Sequence, residues 1–264
     1  MKRAIIIGAT SGLGREIAMN LVREGWAVGI AGRRIELLEE LANEMNTIIC
    51  SVSVGPLKEE DNMSGRGEVV YERIDVTAED AVNGVERLVE KLGGMDLFVN
   101  VAGVGFQNLT LDPKVEKHTF DVNGYGFMRM VDWAYNYFKC INQPGHIAVI
   151  SSIAGTKPLG TAAAYSATKR MQSHYITALS QLARMEHLNI HFTDIRPGFA
   201  ATDILNPNKH YPMMMSKEYA GRLATRAILK KKRVAIIDWK FAILTLFWSL
   251  IPRCIWERLT FVKN

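Results

Sequence analysis

Short apolar runs, each closed by glycine or polar residues, recur along the chain. They are AIII at 4–7, AVGIA at 27–31, VVYERI at 69–74, DLFVNVA at 96–102, HIAVISS at 146–152, IHFTDI at 190–195 and VAIID at 234–238. Runs this short, without helical spacing, read as buried strands. Between them lie GREIAMNLVREG, RIELLEELANEM, AEDAVNGVERLVEKLG and the long YSATKRMQSHYITALSQLARMEH, whose apolar residues fall three and four apart and predict helices. Regular alternation of strand and helix argues an α/β fold, a doubly wound parallel sheet of about seven strands with helices on both faces. Residues 51–67, SVSVGPLKEEDNMSGRG, have Pro, Gly and mixed charge without periodicity and read as a surface insertion.

Composition narrows the class. With 264 residues, 48% of them apolar and 22% charged, the chain can bury one core without staples, so a single domain over 1–264 is expected. The formal charge is +5, yet the only basic run is Lys230 to Arg233, which suits the end of a helix better than a nucleic-acid stripe. Cys50, Cys140 and Cys254 are odd in number and far apart, against a disulfide framework or a CxxC site and in favour of reduced thiols in a cytoplasmic protein. The N-terminus has an apolar run of only four residues before a glycine turn, a strand and not a signal peptide. His187 and His191 are joined by no carboxylate or Cys pattern, so no metal site is expected.

The first strand runs directly into GATSGLG and then into a helix, which places Gly8, Gly12 and Gly14 where backbone amides can approach a pyrophosphate at a helix N-terminus. At the end of the second strand stands AGRR. Gly32 occupies the place where an acid would hold the ribose hydroxyls of NAD, and Arg33 and Arg34 follow. A guanidinium pairs with a 2′-phosphate that a carboxylate would repel, so NADP(H) is favoured, with NAD(H) the lesser reading.

Tyr165 and Lys169 are four residues apart in a predicted helix and share a face. Moving a phenol from near 10 toward 7 takes roughly 4 kcal/mol at about 1.4 per unit. One positive charge about 5 Å away, at an effective dielectric of about 20, supplies roughly 3 kcal/mol. A phenol tuned in this way can give a proton to a carbonyl oxygen or take one from an alcohol. The spacing alone is common; its neighbours give it weight. Ser151 and Ser152 end the fifth predicted strand, where ligands sit in open α/β sheets, and a hydroxyl there can reach the same oxygen.

Taken together, GATSGLG, NVAG at 100–103, Asn123 in DVNGYG, ISSIAG at 150–155, YSATK at 165–169 and RPGFAATD at 196–203 resemble the short-chain dehydrogenase/reductase family, in order and spacing, over residues 1 to about 205. The resemblance implies a Rossmann-like core over 1–202, with Tyr165 as general acid/base and Lys169 as the residue that lowers its pKa and holds the nicotinamide ribose. Ser152, thirteen residues before the tyrosine, is similar to the substrate-orienting serine, and Asn123 to the asparagine that holds a relay water behind the lysine. It also implies cofactor contacts at Thr10, Ser11 and Leu13 within the glycine turn, at Asp75 and Val76, at Asn100, Ala102 and Gly103, and at Pro197, Gly198 and Thr202. Ile7 stands where threonine is usual and Val101 replaces the second asparagine of NNAG. A homodimer or homotetramer is implied as well, often built on the helix that carries the tyrosine.

Beyond Thr202 the sequence is less explicit. Residues 203–225 hold the substrate loop, whose DILNPNKHYPMMMSK reads equally as a lid over a bulky apolar carbonyl compound or as a packed loop, with His210 and Tyr211 as candidate contacts. The extension at 239–264 opens with an apolar helix too short to span a bilayer and broken by Pro252. Its aromatic residues, with Lys240, Arg253 and Arg258, fit a membrane surface over 239–262 or a subunit contact. Packing or oligomer contact is favoured, because the polar face is thin for an interfacial helix. The competing reading of the whole chain is an NADP-binding scaffold or membrane-peripheral protein with little turnover, against which the full set Tyr165, Lys169, Ser152 and Asn123 speaks.

Overall fold

Seven strands lie parallel in the order β3-β2-β1-β4-β5-β6-β7: β1 (Arg3–Ile7), β2 (Ala27–Gly32), β3 (Val69–Arg73), β4 (Leu97–Asn100), β5 (Gly145–Ile150), β6 (Ile190–Pro197) and β7 (Val234–Ile237). The computed structural model describes residues 1–52, 68–203 and 211–260. Each apolar run became a strand. The chain steps outward from β1 to β3, crosses back to β4 on the other side of β1, and steps outward again. That reversal between β1 and β4 opens a crevice at the carboxyl ends of the strands.

Alternation within each strand builds two cores. Ala4 and Ile6 of β1, Leu97 and Val99 of β4, and Ala148 and Ile150 of β5 face α1 (Gly12–Arg23), α2 (Ile35–Val52) and α7 (Lys217–Leu229). Ile5 and Ile7, Phe98, and Ile147 and Val149 face α3 (Ala81–Leu92), α5 (Phe127–Ile141) and α6 (Ala163–Met185). Between them lies α4 (Pro113–Phe120), which runs into α5 through a wider π-helical turn, Asp121–Gly126, that carries Asn123.

Two strands, β4 and β5, end two residues earlier than the apolar runs suggest. The backbone N–H groups of Val101 and Ala102 both donate to Ile7 O, at 2.8 and 2.9 Å, which turns the chain out of β4 after Asn100. Strand β5 stops at Ile150, so Ser151 and Ser152 leave the sheet toward the crevice. The insertion expected over 51–67 begins two residues late, since α2 continues to Val52, and the rest of it lies outside the described residues. Lys230 follows the last residue of α7, and the backbones of Lys231 and Lys232 close its end on Ile228 O and Ala227 O, in line with a helix terminus.

The C-terminal segment forms α8 (Trp239–Ser249) and, after Pro252, the single turn α9 (Arg253–Trp256). Asp238 caps α8 by accepting from Lys240 N at 3.1 Å. Phe241 is fully buried against Phe199, ring centroids 6.0 Å apart, and Trp256 donates its indole N–H to Pro158 O at 2.8 Å. The tail is thus part of the core on its inner side. Phe241→Ala is expected to cost about 3–5 kcal/mol of unfolding free energy, read from urea denaturation; a loss below about 1 kcal/mol would mean the tail is not integral to the fold.

Candidate active site

The carboxyl ends of β1, β4, β5 and β6 share one edge of the sheet, and a cleft of about 420 Å³ lies along it. Of the residues singled out in the sequence, Gly8, Thr10, Ser11, Gly12, Leu13, Arg33, Arg34, Asp75, Val76, Ala102, Gly103, Ser151, Ser152, Tyr165, Lys169, Pro197, Gly198 and Thr202 line it. Gly14, Asn100 and Asn123 do not; they lie behind the lining.

At one end the glycine turn closes on the start of α1. Gly8 sits at φ +91°, and a Cβ there would stand 2.6 Å from the backbone N of Ala102, so the turn from β1 tolerates glycine alone. Ser11, the N-cap of α1, makes no capping bond with its side chain, and the first turn has no acid. The leading amides of α1 are left for an anionic group, and the helix dipole favours one. Arg34 folds back over this turn, its Nη2 donating to Thr10 Oγ1 at 2.9 Å and Ser11 Oγ at 3.1 Å. Arg33 is exposed beside it. Arg73 donates to Arg33 O at 3.2 Å, a third guanidinium the sequence reading missed because it comes from the neighbouring strand β3.

Asp75 is partly committed already, since its Oδ1 accepts from Thr77 N at 3.0 Å and Thr77 Oγ1 at 2.7 Å. Burial pushes this carboxyl up, but the bonds from Thr77 and the charges of Arg33 and Arg73 outweigh it and hold it below the usual carboxylate range. Asn100 is 2% exposed and both polar atoms of its side chain lack a partner, a costly state for a buried amide. Uncapped amides and guanidinium groups along one cleft, with an unpaired amide just behind its lining, fit a dinucleotide.

The other end holds the hydroxyls and the lysine. Ser152 starts a tight turn, Ile153–Gly155, and accepts from Ala154 N at 3.0 Å. A Cβ on Gly155 would lie 2.7 Å from the carbonyl carbon of Lys169, so only glycine lets this turn press against α6. The contact brings Ser152 to the phenol of Tyr165. Burial raises the Tyr165 pKa above its ordinary value, and the hydrogen bond with Ser152 pulls it back only in part. The expected lowering by Lys169 is not met here. The ammonium stands 5.8 Å from the centre of the phenol ring, and burial, left out of the charge-at-a-distance estimate, decides the sign.

Lys169 is itself 4% exposed. Its Nζ donates to Ile150 O at 2.9 Å and Gln172 Oε1 at 3.1 Å, and Gln172 Nε2 donates to the backbone O of Asn123 at 2.8 Å. The side-chain amide of Gln172 therefore bridges the two groups between which a relay water was expected, and Asn123 becomes a structural hub. Asn123 Oδ1 accepts from Val104 N at 2.8 Å and its Nδ2 donates to Val104 O at 2.7 Å, which fixes the strand of residues after Gly103. Burial pushes Lys169 down to about 8, and the carboxylate of Asp194 draws it back up. At neutral pH the group stays an ammonium.

Asp194 is 1% exposed on β6, where it accepts from Ser151 Oγ and pairs with Arg196 Nη2 at 2.7 Å. Both serines line the cleft, but the Ser151 hydroxyl is committed to Asp194, whereas that of Ser152 reaches the phenol of Tyr165. The sequence carried a signal for Asp194, a charge inside an otherwise apolar strand that must find partners. Gln172 stood three residues past Lys169 on the same helix face. Trp256, which packs with Leu159 and Tyr165 from the far end of the chain, carried none. Tyr211 is buried against Phe199, centroids 5.1 Å apart, and Met215 is buried too, so this part of the substrate loop is packed, while Met213 and Met214 are exposed. His210 lies outside the described residues. Among the described residues no group of acids, His and Cys could hold a metal ion.

Residues 2–211 match the sequence model of the family described as short chain dehydrogenase. An uncharacterized oxidoreductase of Myxococcus xanthus is 28% identical over 260 residues, covering 97% of this chain and 95% of its own. Dehydrogenase/reductase SDR family member 7B of Xenopus laevis is 29% identical over 203 residues, 76% of this chain, which spans 58% of that longer relative. Among solved structures, an alcohol dehydrogenase of Thermococcus sibiricus complexed with 5-hydroxy-NADP superposes with a TM-score of 0.71 at 24% identity, over 90% of this chain and 95% of its own. At that identity the likeness is one of fold.

Asp194→Asn removes the anion that favours the Lys169 ammonium, so the lysine pKa is expected to fall below about 8 by on the order of one unit. A titration of ¹³Cε-labelled lysine by NMR reads it. An unmoved or raised value would mean that Asp194 does not act on Lys169.

Proposed function

This chain belongs to the short chain dehydrogenase family of NAD(P)-binding oxidoreductases, and on that footing we propose that it interconverts a carbonyl compound and an alcohol with NADP(H). The observation that carries the reading is the meeting of the Tyr165 phenol, the Ser152 hydroxyl and the Lys169 ammonium on one wall of the cleft, opposite the glycine turn. When bound, the nicotinamide supplies or accepts the hydride.

The protein's own part is proton transfer and orientation. Burial keeps Tyr165 protonated at neutral pH, the form from which a carbonyl reduction draws its proton. Ser152 stands within hydrogen-bond reach of that phenol, so one carbonyl oxygen can accept from both hydroxyls and is aligned by them. As the proton leaves, the growing phenolate gains from the Lys169 ammonium, whose place is fixed by Ile150 O and Gln172 and so costs no reorganisation. Alcohol oxidation runs the same atoms in reverse and needs the phenolate, which burial opposes, so it is served by higher pH.

Three guanidinium groups, with Gly32 in the place of an acid at the end of β2, support NADP(H) over NAD(H). Arg34, already turned over Thr10 and Ser11, and the neighbouring Arg33 would meet the 2′-phosphate, while the leading amides of α1 would meet the pyrophosphate. Phe106, Val104 and Tyr165 on the cleft side, with the cluster of Ala154, Leu159 and Trp256 on which Tyr165 packs, give the substrate end an apolar wall and support a bulky apolar carbonyl compound. The long helix α6 exposes Leu182 and Met185 on its solvent side, which supports self-association.

Tyr165→Phe is expected to lower turnover by about 10² to 10⁴-fold with NADPH affinity kept within a few-fold; turnover equal to that of the unaltered protein refutes the mechanism. Replacing Arg33 and Arg34 together by Ala should weaken NADPH binding by roughly 10- to 100-fold, as for charge-assisted bonds, with NADH affinity nearly unchanged. Tryptophan fluorescence titrations decide this, and equal losses for both nucleotides would contradict the coenzyme preference.

A further inference from the structure

Helix α8 is apolar on every side, and the chain covers only one of them. Phe241 and Thr245 are buried, and Leu244 and Trp248 pack on the core. Trp239, Ile243, Leu246, Phe247 and Leu250 stand exposed, between 45% and 71%, at steps of four, three, one and three residues, and so form one stripe. Ile255 of α9 is exposed as well. With 11 residues the helix is about 16 Å long, roughly half the thickness of a hydrocarbon core, so the stripe can lie along a bilayer surface and cannot cross it.

Charge indicates what covers the stripe. From Trp239 to Thr260 the chain holds three basic residues, Lys240, Arg253 and Arg258, all of them exposed. Helix α8 carries Lys240 and no acid; of the two acids beside this segment, Asp238 is buried as the N-cap of α8 and Glu257 is paired with Arg253. In a two-fold contact a patch meets its own copy, so a second chain would bring these cations together and supply no acid to receive them. Nucleic acid would meet the charge but leave the five apolar side chains in water. An anionic lipid surface meets both, with headgroups for the cations and the acyl boundary for the Trp, Phe, Ile and Leu side chains.

The thin polar face that tells against an isolated interfacial helix has a counterpart here. Such a helix needs a polar side to stop it sinking, and the inner side of α8 is instead fastened to the protein through Phe241 and Trp248. We propose that α8 and α9 dock this protein on an anionic membrane surface, with the stripe from Trp239 to Leu250 at the headgroup–acyl boundary. Trp256 on the inner side packs with Leu159 and Tyr165, so docking sets the substrate end of the cleft beside the lipid. That last placement rests on the oxidoreductase reading; the docking does not.

The test is co-sedimentation of the full chain with phosphatidylcholine vesicles, with and without phosphatidylglycerol. Binding is expected to be about tenfold or more tighter to the anionic vesicles. Both Leu246→Glu with Phe247→Glu and, separately, Lys240→Glu with Arg258→Glu should reduce it about tenfold or more. All four residues are exposed, and an unchanged unfolding midpoint confirms that the fold is intact. Absence of vesicle binding, or binding untouched by the first pair, overturns the proposal. So does a dimer in sedimentation velocity that the first pair splits, since a second copy would then cover the stripe. The assay involves no turnover, so its result stands apart from that of the Tyr165 experiment.

Discussion

A positive charge held in the interior is the constraint around which this site is arranged. Lys169 is almost wholly removed from water, and a buried ammonium is tolerated only where acceptors are ready for it. Ile150 O at the end of β5, the amide of Gln172 on the next turn of α6, and the field of Asp194 on β6 supply them. Each sits on a different element, so the sheet register of β5 against β6 and the seating of α6 are both tied to one side chain. Gly155 allows that seating, because the turn that presents Ser152 presses on the backbone of Lys169 itself.

The same burial sets the protonation of the phenol. A lysine beside a tyrosine in water would make it more acidic, but both groups here lie where charge is expensive. The outcome is an ammonium weakened to about 8 and a phenol raised above its usual value, two protonated groups side by side at neutral pH. That is the state from which the proposed proton transfer would start. The ammonium would then meet the charge of the phenolate left behind.

At the opposite end the cleft depends on what is absent. No side chain caps the start of α1 and no acid occupies its first turn, so the amides keep their unmet capacity for an anion. Arg34 lies over the same turn, and Arg33 and Arg73 stand at the ends of β2 and β3, where Asp75 meets part of their charge. The C-terminal tail shows the same logic in apolar form. A helix with no polar side leaves one face exposed when the other is used to build the core.

The sequence by itself determined the sheet, its seven strands, the glycine turn and the pairing of Tyr165 with Lys169, because each rests on local periodicity or on spacing within one helix or turn. It also pointed to the arginine pair, since the residue after β2 is fixed by the strand that precedes it. Only the tertiary structure decided which serine hydroxyl reaches the phenol, because that of Ser151 is taken up by Asp194 from a strand more than forty residues later. It decided that Gln172 occupies the carbonyl of Asn123, that the tyrosine is raised and not lowered, and that Trp256 joins the cluster on which Tyr165 packs. Those outcomes depend on desolvation and on contacts between distant segments, and neither quantity is carried by the order of residues until the chain has folded around them.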